Sequence, residues 1–271
     1  MSISSNPIGI TAASEAVQKP LLPSPALSNF SGHHYAQSPS GVDSNLLILL
    51  HGLGDSDAGF FNLGKNLQNT LPQTAVLAIQ APHAVPFLDG GKHWMWYPSF
   101  DQFGELLTQP NPSTTLQNMV SVLEHLTEKC GWSPSSIHIF GFGQGATIAL
   151  ETLVSWSKTH ANPTERLGSI VSISGEILSH PTTMITTATP VLQIYRSRTD
   201  IARETATKWA SFRKAFGSAF SLQRLNLTEQ GSDDAMLRGG WGEWDGVMQF
   251  WSKFLRNRSA WERQGKVVPL S

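Results

Sequence analysis

The stretch SIHIFGFGQGATIAL, residues 136–150, decides the fold, because it joins a short apolar run to a helical pattern through three glycines. Gly141, Gly143 and Gly145 mark the junction. Glycine adopts positive φ angles with little steric penalty, and it is therefore common in tight turns. The stretch predicts a buried strand, a sharp turn and a helix.

The same alternation of apolar and helical runs continues on both sides of this stretch, from Asn45 onward. Continuous apolar runs are typical of strands that are buried on both faces of a parallel sheet. We predict strands in NLLILL, AVLAIQA, SIHIF, SIVSIS, PVLQIYR and SLQRLNL, and helices over 60–71, 114–129, 144–158, 202–216 and 245–256. This order indicates an α/β fold with a doubly wound, mainly parallel sheet and helices on both faces.

Local sequence features predict where some of the helices end and which way they face. Thr114 and Gln117 have the spacing of a capping box, and Gly131 stands where the same helix is expected to stop. The last helix carries a core-facing stripe at i, i+3, i+4, i+7 and i+8 spacing. Its members are Val247, Phe250, Trp251, Phe254 and Leu255.

Length and composition indicate one main domain. The chain has 271 residues, of which 40% are hydrophobic, and this is enough for one large core. Residues 1–30 are rich in Ser, Ala and Pro, and we expect a flexible tail there. Residues 31–271 form the predicted domain. The irregular segment 84–112 is too long for a plain connection and is predicted to act as a lid.

Charge and cysteine content restrict the classes of partner. The 19 basic and 20 acidic residues nearly cancel, so we expect no nucleic-acid partner. Cys130 is the single cysteine and cannot form an internal disulfide, which favours a cytoplasmic location, with the nucleus as the alternative. We expect no transmembrane segment, no metal site and no cofactor. The sequence identifies no protein partner.

A second motif, LLILLHGLGDS at 46–56, closes a predicted strand with a His-Gly-Leu-Gly-Asp loop. Together with FGFGQGA, it resembles the phospholipase/carboxylesterase family of α/β-hydrolases, which includes the acyl-protein thioesterases. The resemblance runs from about Leu46 to Arg258 and implies hydrolysis of carboxylic esters or thioesters. It also implies that Gly52, Leu53 and Gln144 supply an oxyanion hole through backbone N–H groups.

Two positions of the family's catalytic triad are altered or displaced in this chain. Gly143 stands where the family has its serine, and without a hydroxyl oxygen no acyl intermediate can form there. The family's acid follows the strand that matches PVLQIYR, where Asp200 fits only with a one-residue adjustment. Gly143 and Asp200 are therefore the relic positions of the nucleophile and the acid.

The family's histidine has no counterpart. It is expected between the last strand and the last helix, where this chain has Gly239, Gly240 and Trp241, and the last histidine of the chain is His180. Triad members act as a unit, so the loss of two of them removes most of the catalysis. The resemblance thus implies a degenerate triad in a family whose reaction is hydrolysis of carboxylic esters or thioesters, and it leaves open whether this chain is an enzyme.

The interpretation favoured by these residues is a ligand-binding or regulatory pseudoenzyme with a partly apolar pocket for an acyl or other apolar small ligand. Trp94, Trp96 and Trp241 are candidates for the pocket wall, with packing of the insertion onto the body as the alternative for the first two. A low-activity ester or thioester hydrolase with a non-standard nucleophile is the competing interpretation. Ser56 and Ser174 are weaker nucleophile candidates.

Two further interpretations of the glycine turn remain open. Gly141, Gly143 and Ala146 fit the G-x-G-x-x-A pattern of a dinucleotide site, although no acidic residue ends a strand about 20 positions later. The turn can also be a plain strand-to-helix connection. Among other residues, His51 is expected to hold its loop, and His93 is a candidate base within the insertion.

Overall fold

The computed structural model describes residues 18–86, 88, 92–160, 162, 165–179, 188–197, 209–226, 235–240 and 242–259. Within these residues the strands form one large sheet and one short hairpin. In chain order they are β1 Gly32–Ala36, β2 Asn45–Leu50, β3 Thr74–Gln80, β4 His83–Ala84, β5 Trp94–Met95, β6 Ile137–Phe142, β7 Ser169–Ile173, β8 Val191–Ser197 and β9 Phe220–Asn226.

The large sheet has the strand order β1-β3-β2-β6-β7-β8-β9. β1 runs antiparallel to β3, and every other neighbouring pair is parallel. The C-terminal ends of β2, β6 and β7 therefore meet at one edge of the sheet, which is where parallel α/β sheets bind ligands. The predicted fold class, a mainly parallel doubly wound sheet, is confirmed.

Helices cover both faces of the sheet. They are α1 Asp57–Leu67, α2 Ser113–Glu128, α3 Gln144–Thr159, α4 Ala210–Phe216 and α5 Asp245–Phe254. Side chains alternate along a strand, so β2 contributes Leu46, Ile48 and Leu50 to one hydrophobic core and Leu47 and Leu49 to the other. This double burial explains why the strand has no polar positions in its centre.

The predicted stripe of the last helix is confirmed. Val247, Phe250 and Trp251 are buried in the second core, and Phe254 and Leu255 are half-buried against it. Burial of this stripe fixes α5 on the sheet face that also carries α1.

The predicted capping box of α2 is wrong. The helix begins one residue earlier, at Ser113, and its N-cap residue Pro112 has no side-chain hydrogen bond. The Ser113 N–H instead donates to Asn111 Oδ1 at 3.0 Å, so a side chain outside the Thr114–Gln117 pair satisfies a free amide of the first turn. The predicted stop is confirmed, because Gly131 follows α2 with a φ of 71°.

The N-terminal segment differs from the flexible tail expected over 1–30. Residues 1–17 lie outside the described residues, but 18–30 pack on the body. Leu27 and Phe30 are buried in the first core, and the Phe30 ring contacts Trp96 with ring centroids 6.1 Å apart. Burial of these two apolar side chains holds the segment on the body, although the segment is otherwise rich in small and polar residues.

The insertion at 84–112 is more regular than expected. β4 and β5 form a short antiparallel hairpin, and a second narrow loop is closed by a bridge between Phe100 and Leu106.

In the part of the chain that the structure describes, no helix has the length and apolar content needed to cross a lipid bilayer.

Candidate functional site

Gly143 lies in the turn between β6 and α3, at the sheet edge where the strand ends meet. Its φ of 52° and ψ of −119° are unfavourable for residues with a side chain, and its N–H donates to Ile173 O at 2.9 Å. The backbone thus retains the sharp, strained turn that lifts a catalytic residue above the sheet in hydrolases of this type.

The three glycines of the turn are needed for different reasons. A Cβ on Gly141 would lie 2.6 Å from Ala146 N, and one on Gly145 would lie 2.4 Å from His51 O, so close packing excludes any side chain there. A Cβ on Gly143 would meet only Gly52 Cα, at 3.8 Å. A serine side chain would therefore have room at Gly143, and steric crowding does not explain its absence.

The loop after β2 lies directly beside this turn. A Cβ on Gly52 would come within 2.7 Å of the Phe142 ring, so the loop approaches the end of β6 as closely as glycine permits. Leu53 is 41% exposed at the loop's tip. At the start of α3, the first amides, beginning with Gln144, have no acceptor within the helix. Gly52 thus lies against Gly143, and Gln144 follows Gly143 in the chain, whereas the oxyanion role of Gly52, Leu53 and Gln144 stays a prediction.

His51 holds this loop from below, as the sequence indicates. Its ring is fully buried, and Nδ1 donates to Gly52 O at 2.8 Å. Nε2 accepts from Ala81 N at 3.1 Å and from Gln80 Nε2 at 3.0 Å, a pattern that requires the neutral Nδ1–H tautomer. Burial lowers the pKa of His51, which keeps the ring neutral. His51 is therefore a structural residue.

The insertion is fastened to both loops of the site. Trp96 Nε1 donates to His51 O at 2.7 Å, and Trp96 N donates to Gln144 Oε1 at 2.9 Å. Gln144 Nε2 donates to Ser99 Oγ at 2.5 Å. Trp96 is fully buried and lies in the core rather than on a pocket wall, which corrects the expectation for this residue, whereas Trp94 is half-buried and packs against the core.

His93 also acts as a fastening. Its Nδ1 donates to Gly54 O at 2.7 Å, and Gly54 N donates to Trp94 O at 2.8 Å. These bonds join the insertion to the loop after β2 on its other side. His93 is thus placed near the site, but its Nδ1 is engaged with the backbone.

The relic acid Asp200 and the pocket candidate Trp241 lie outside the described residues. Close to both in sequence, the structure shows an ion pair that sequence reasoning missed. Arg196 donates from Nη1 to Glu243 Oε1 at 2.8 Å and from Nη2 to Glu243 Oε2 at 2.6 Å, and Arg238 N donates to Oε2 at 2.7 Å. Arg196 and Glu243 are 47 positions apart, so no local pattern reveals the pair.

This ion pair joins the end of β8 to the segment that precedes α5. Arg196 also donates to the carbonyl oxygens of Ala235 and Met236, at 3.2 and 2.9 Å. Hydrogen bonds from the Arg196 guanidinium, assisted by Arg238, hold the pKa of Glu243 down at about 2. The segment that precedes α5 is therefore anchored by a buried carboxylate.

Some hydroxyl or thiol groups do contact imidazole rings in the described residues, but away from Gly143. His138 contacts Ser169 at the start of β6, the opposite end of the strand from the glycine turn, and burial lowers its pKa to about 3. Two further pairs lie at the C-terminal ends of α2 and α3: Cys130 with His125 and Thr159 with His160. None of these three pairs lies at the glycine turn.

Ser174 is the described non-glycine residue with a positive φ, 54°. It follows β7 next to the glycine turn, is half-buried, and its N–H donates to Ile194 O at 2.9 Å. Strain of this kind clusters at functional sites.

Among the described residues, no cluster of three or more His, Cys, Asp or Glu side chains is arranged to hold a metal ion.

Comparison with known families gives a match over most of the chain. The model of the phospholipase/carboxylesterase family matches residues 32–225. An uncharacterized hydrolase of Mycosarcoma maydis is 62% identical over 94% of both chains. An acyl-protein thioesterase 1 homolog of Dictyostelium discoideum is 29% identical over 52% of this chain and 61% of its own length.

Solved structures show the same fold. The crystal structure of esterase PE8 superposes with a TM-score of 0.64 at 24% identity, covering 82% of this chain and 98% of that one. Acyl-protein thioesterase 2 of Zea mays gives a TM-score of 0.57 at 18% identity, covering 84% of this chain and 100% of that one. At these identities the likeness extends to the fold alone.

Proposed function

This chain belongs to the phospholipase/carboxylesterase family of α/β-hydrolases, and from that premise we propose that it binds an acyl or other apolar small ligand without hydrolysing it efficiently. It is a carboxylesterase- and thioesterase-like protein by family. The proposal adds that its role is binding or regulation, as a pseudoenzyme.

The observation that carries the proposal is Gly143. The turn keeps the backbone of a nucleophile position and has room for a side chain, yet it holds only a hydrogen atom. Without a hydroxyl no acyl-enzyme can form at this position. Oxyanion donors and binding alone give roughly 10³- to 10⁴-fold acceleration over water in comparable triad-deleted enzymes. That is too little for efficient turnover.

Exposed apolar side chains in the insertion and in the loop after β2 support an apolar ligand. Six large hydrophobic side chains are exposed in the described residues, and five of them lie in the loop after β2 or in the insertion. They are Leu53, Leu88, Phe103, Leu106 and Leu107, with Phe103 79% exposed and Leu106 72% exposed. Concentrations of exposed apolar side chains mark interaction sites in soluble proteins.

The proposal is tested with the purified chain, p-nitrophenyl acetate and dodecanoate esters, and a serine-reactive fluorophosphonate. We expect no turnover above a heat-treated sample and no labelling, but stabilisation by dodecanoate, which reaches about 2.7 kcal/mol at one hundred times the dissociation constant. Leu53→Asp should remove the stabilisation, and Leu22→Asp, in an exposed position distant from the turn, serves as the control. Turnover or the absence of any dodecanoate effect would contradict the proposal.

A paired substitution tests the origin of the inactivity. Gly143→Ser with Trp241→His supplies both missing groups at the positions the family uses. Fluorophosphonate labelling of the double variant, and not of either single variant, would support a site that lost its chemistry through these two residues. No labelling would show that further parts of the catalytic machinery are absent.

Ser174 favours one alternative, a slow hydrolase that uses a displaced nucleophile. Its strained backbone next to the glycine turn resembles the conformation expected of such a residue. In this case hydrolysis of p-nitrophenyl acetate would be measurable and would disappear in Ser174→Ala, while Ser56→Ala and His93→Gln would show whether either of those residues takes part.

A further inference from the structure

A groove between α2 and α3 is separate from the site around Gly143. Its volume is about 630 Å³, which is within the range of small-molecule sites, roughly 300–1,000 Å³. α2 contributes Leu116 and Val120, α3 contributes Glu151 and Ser155, and the segment after β7 contributes Leu178 and Ser179.

The groove residue Glu151 lies about two helical turns along α3 from Gly143. Gly143, Thr147 and Glu151 follow each other at intervals of four residues and lie on one face of α3. Thr147 is buried, and its hydroxyl is hydrogen-bonded to the hydroxyl of Tyr97, which is also buried. Along α3, Thr147 thus lies between Gly143 and the groove residue Glu151.

The chemistry of the groove is set by Glu151. This carboxylate is only 3% exposed although it lines the groove, and its Oε1 accepts from Ser179 N at 2.7 Å. A buried carboxylate is costly unless it is paired with a positive charge or well hydrogen-bonded. Within the described residues, the hydrogen-bond donor to this carboxylate is one neutral amide, which is little compensation, so a cation in the groove gains from meeting Glu151.

The other charged residues of the lining agree with this preference. Glu124 adds a second carboxylate, and Lys158 is the one ammonium group among the lining residues. Lys158 is seven residues after Glu151, or about 10 Å along the helix axis, so salt screens its effect at Glu151. Among the described lining residues, two carboxylates and one ammonium group give a net negative charge.

The remaining lining is partly apolar. Leu116 and Val120 lie one turn apart on α2, and Leu178 contributes a third apolar side chain to the same groove. A ligand that satisfies both parts of the groove needs a positively charged head and an apolar body of a few carbon atoms.

We propose that this groove is a second binding site, for an organic ammonium ion, whose charged group pairs with Glu151 and whose apolar body lies on Leu116, Val120 and Leu178. The site uses none of the residues around Gly143. Its test is therefore independent of the acyl-ligand proposal.

Three probes with the same six-carbon body test the proposal: hexylammonium, 1-hexanol and hexanoate, each titrated into the full chain and followed by amide chemical shifts. We expect hexylammonium to shift the amides of Glu151, Ser155 and Ser179, with a dissociation constant at least tenfold lower than that of hexanol. Hexanoate should cause no shift there. Equal binding of hexylammonium and hexanol would overturn the proposal.

Variants locate the interaction. Glu151→Gln keeps an acceptor for Ser179 N and should reduce hexylammonium binding at least tenfold, whereas Glu128→Gln, exposed on α2 outside the groove, should leave it unchanged. Ser155→Phe fills the groove and should abolish binding of every probe even if Glu151→Gln fails to fold. Unchanged binding in either groove variant, or shifts at Gly52 and Gly143 instead, would refute the second site.

Discussion

Gly143 has no side chain and adopts a positive φ in the turn between β6 and α3. Glycine is required in this turn either because a Cβ would overlap neighbouring atoms or because φ is positive. Only the second reason applies at Gly143. A Cβ on Gly141 or Gly145 would lie 2.4 to 2.6 Å from backbone atoms, but a Cβ on Gly143 would meet only Gly52 Cα, in ordinary contact at 3.8 Å, so glycine is favoured there by the φ of 52° alone. Glycine at this position therefore provides no nucleophilic atom and avoids the backbone strain that a side chain would add.

Alanine at each glycine of the turn separates these constraints. Gly143→Ala should lower the free energy of unfolding by about 1–2 kcal/mol, because only the backbone conformation is strained. Gly141→Ala and Gly145→Ala should lower it by about 3 kcal/mol or more, because each Cβ overlaps backbone atoms that cannot move aside. Urea denaturation of the three variants measures the difference. A loss at Gly143 as large as at Gly145 would mean that the turn has less room than its geometry indicates.

Trp96, like His51, has a structural role although it lies beside the site. Its indole N–H is the donor for the His51 carbonyl, and Trp96→Phe leaves that buried oxygen without it. We expect a loss of about 1–2 kcal/mol in the free energy of unfolding. Trp94→Phe is the matched control, with a change of about 0.5 kcal/mol or less for a half-buried ring. Equal effects would show that the Trp96 hydrogen bond contributes nothing beyond ring packing.

At the scale of elements, the sequence predicts what depends on local pattern. β2 is predicted at its observed bounds because five of its six residues form a continuous apolar run, and all six are buried in the structure. β1 is not predicted, because GHHYA is polar and the strand lies at the sheet edge with partly exposed side chains. The start of α2 is missed for a related reason: Asn111, outside the helix, supplies the hydrogen bond that was expected from within it.

In the candidate site, too, the sequence predicts what depends on local motifs and misses contacts between distant segments. Gly52, Leu53, Gln144 and Gly143 come from two contiguous motifs, so the sequence predicts that they meet once the two strands are neighbours. The burial of Trp96 is not predictable, because it depends on hydrogen bonds to two other loops. The Arg196–Glu243 pair is likewise invisible in the sequence.

The Arg196–Glu243 pair predicts a pH dependence at the level of one connection. The folded-state pKa of Glu243, about 2, is below the ordinary value of 4.5. Its ionised form therefore stabilises the fold above about pH 4.5, and that contribution is lost as the pH falls toward 2. Glu243→Gln should cost about 3 kcal/mol at pH 7, because it leaves the buried guanidinium of Arg196 unpaired.

The measurement is urea denaturation of both proteins between pH 7 and pH 3. The difference between wild type and Glu243→Gln should shrink below pH 4.5, and the exposed Glu105→Gln should show no comparable difference at any pH. A gap that stays constant down to pH 3 would mean that the charge of Glu243 is not what anchors the segment before α5.

For the whole molecule, the family match and the folded unit have different limits. The match covers 32–225, but Leu27 and Phe30 before it belong to one core, and Val247, Phe250 and Trp251 after it belong to the other. Both faces of the sheet are therefore completed by segments outside the matched region.

This arrangement predicts that an apolar residue before the match stabilises the domain as a core residue does. Leu27 is 3% exposed, and Leu27→Ala should lower the free energy of unfolding by about 3 kcal/mol through lost burial and the cavity left behind. Leu22→Ala, at a leucine that is 39% exposed five positions earlier, should change it by no more than about 0.5 kcal/mol. If both variants unfold at the same urea concentration as the wild type, the segment that contains Leu27 does not contribute to the core. In that case the stability of this core comes from the matched residues 32–225.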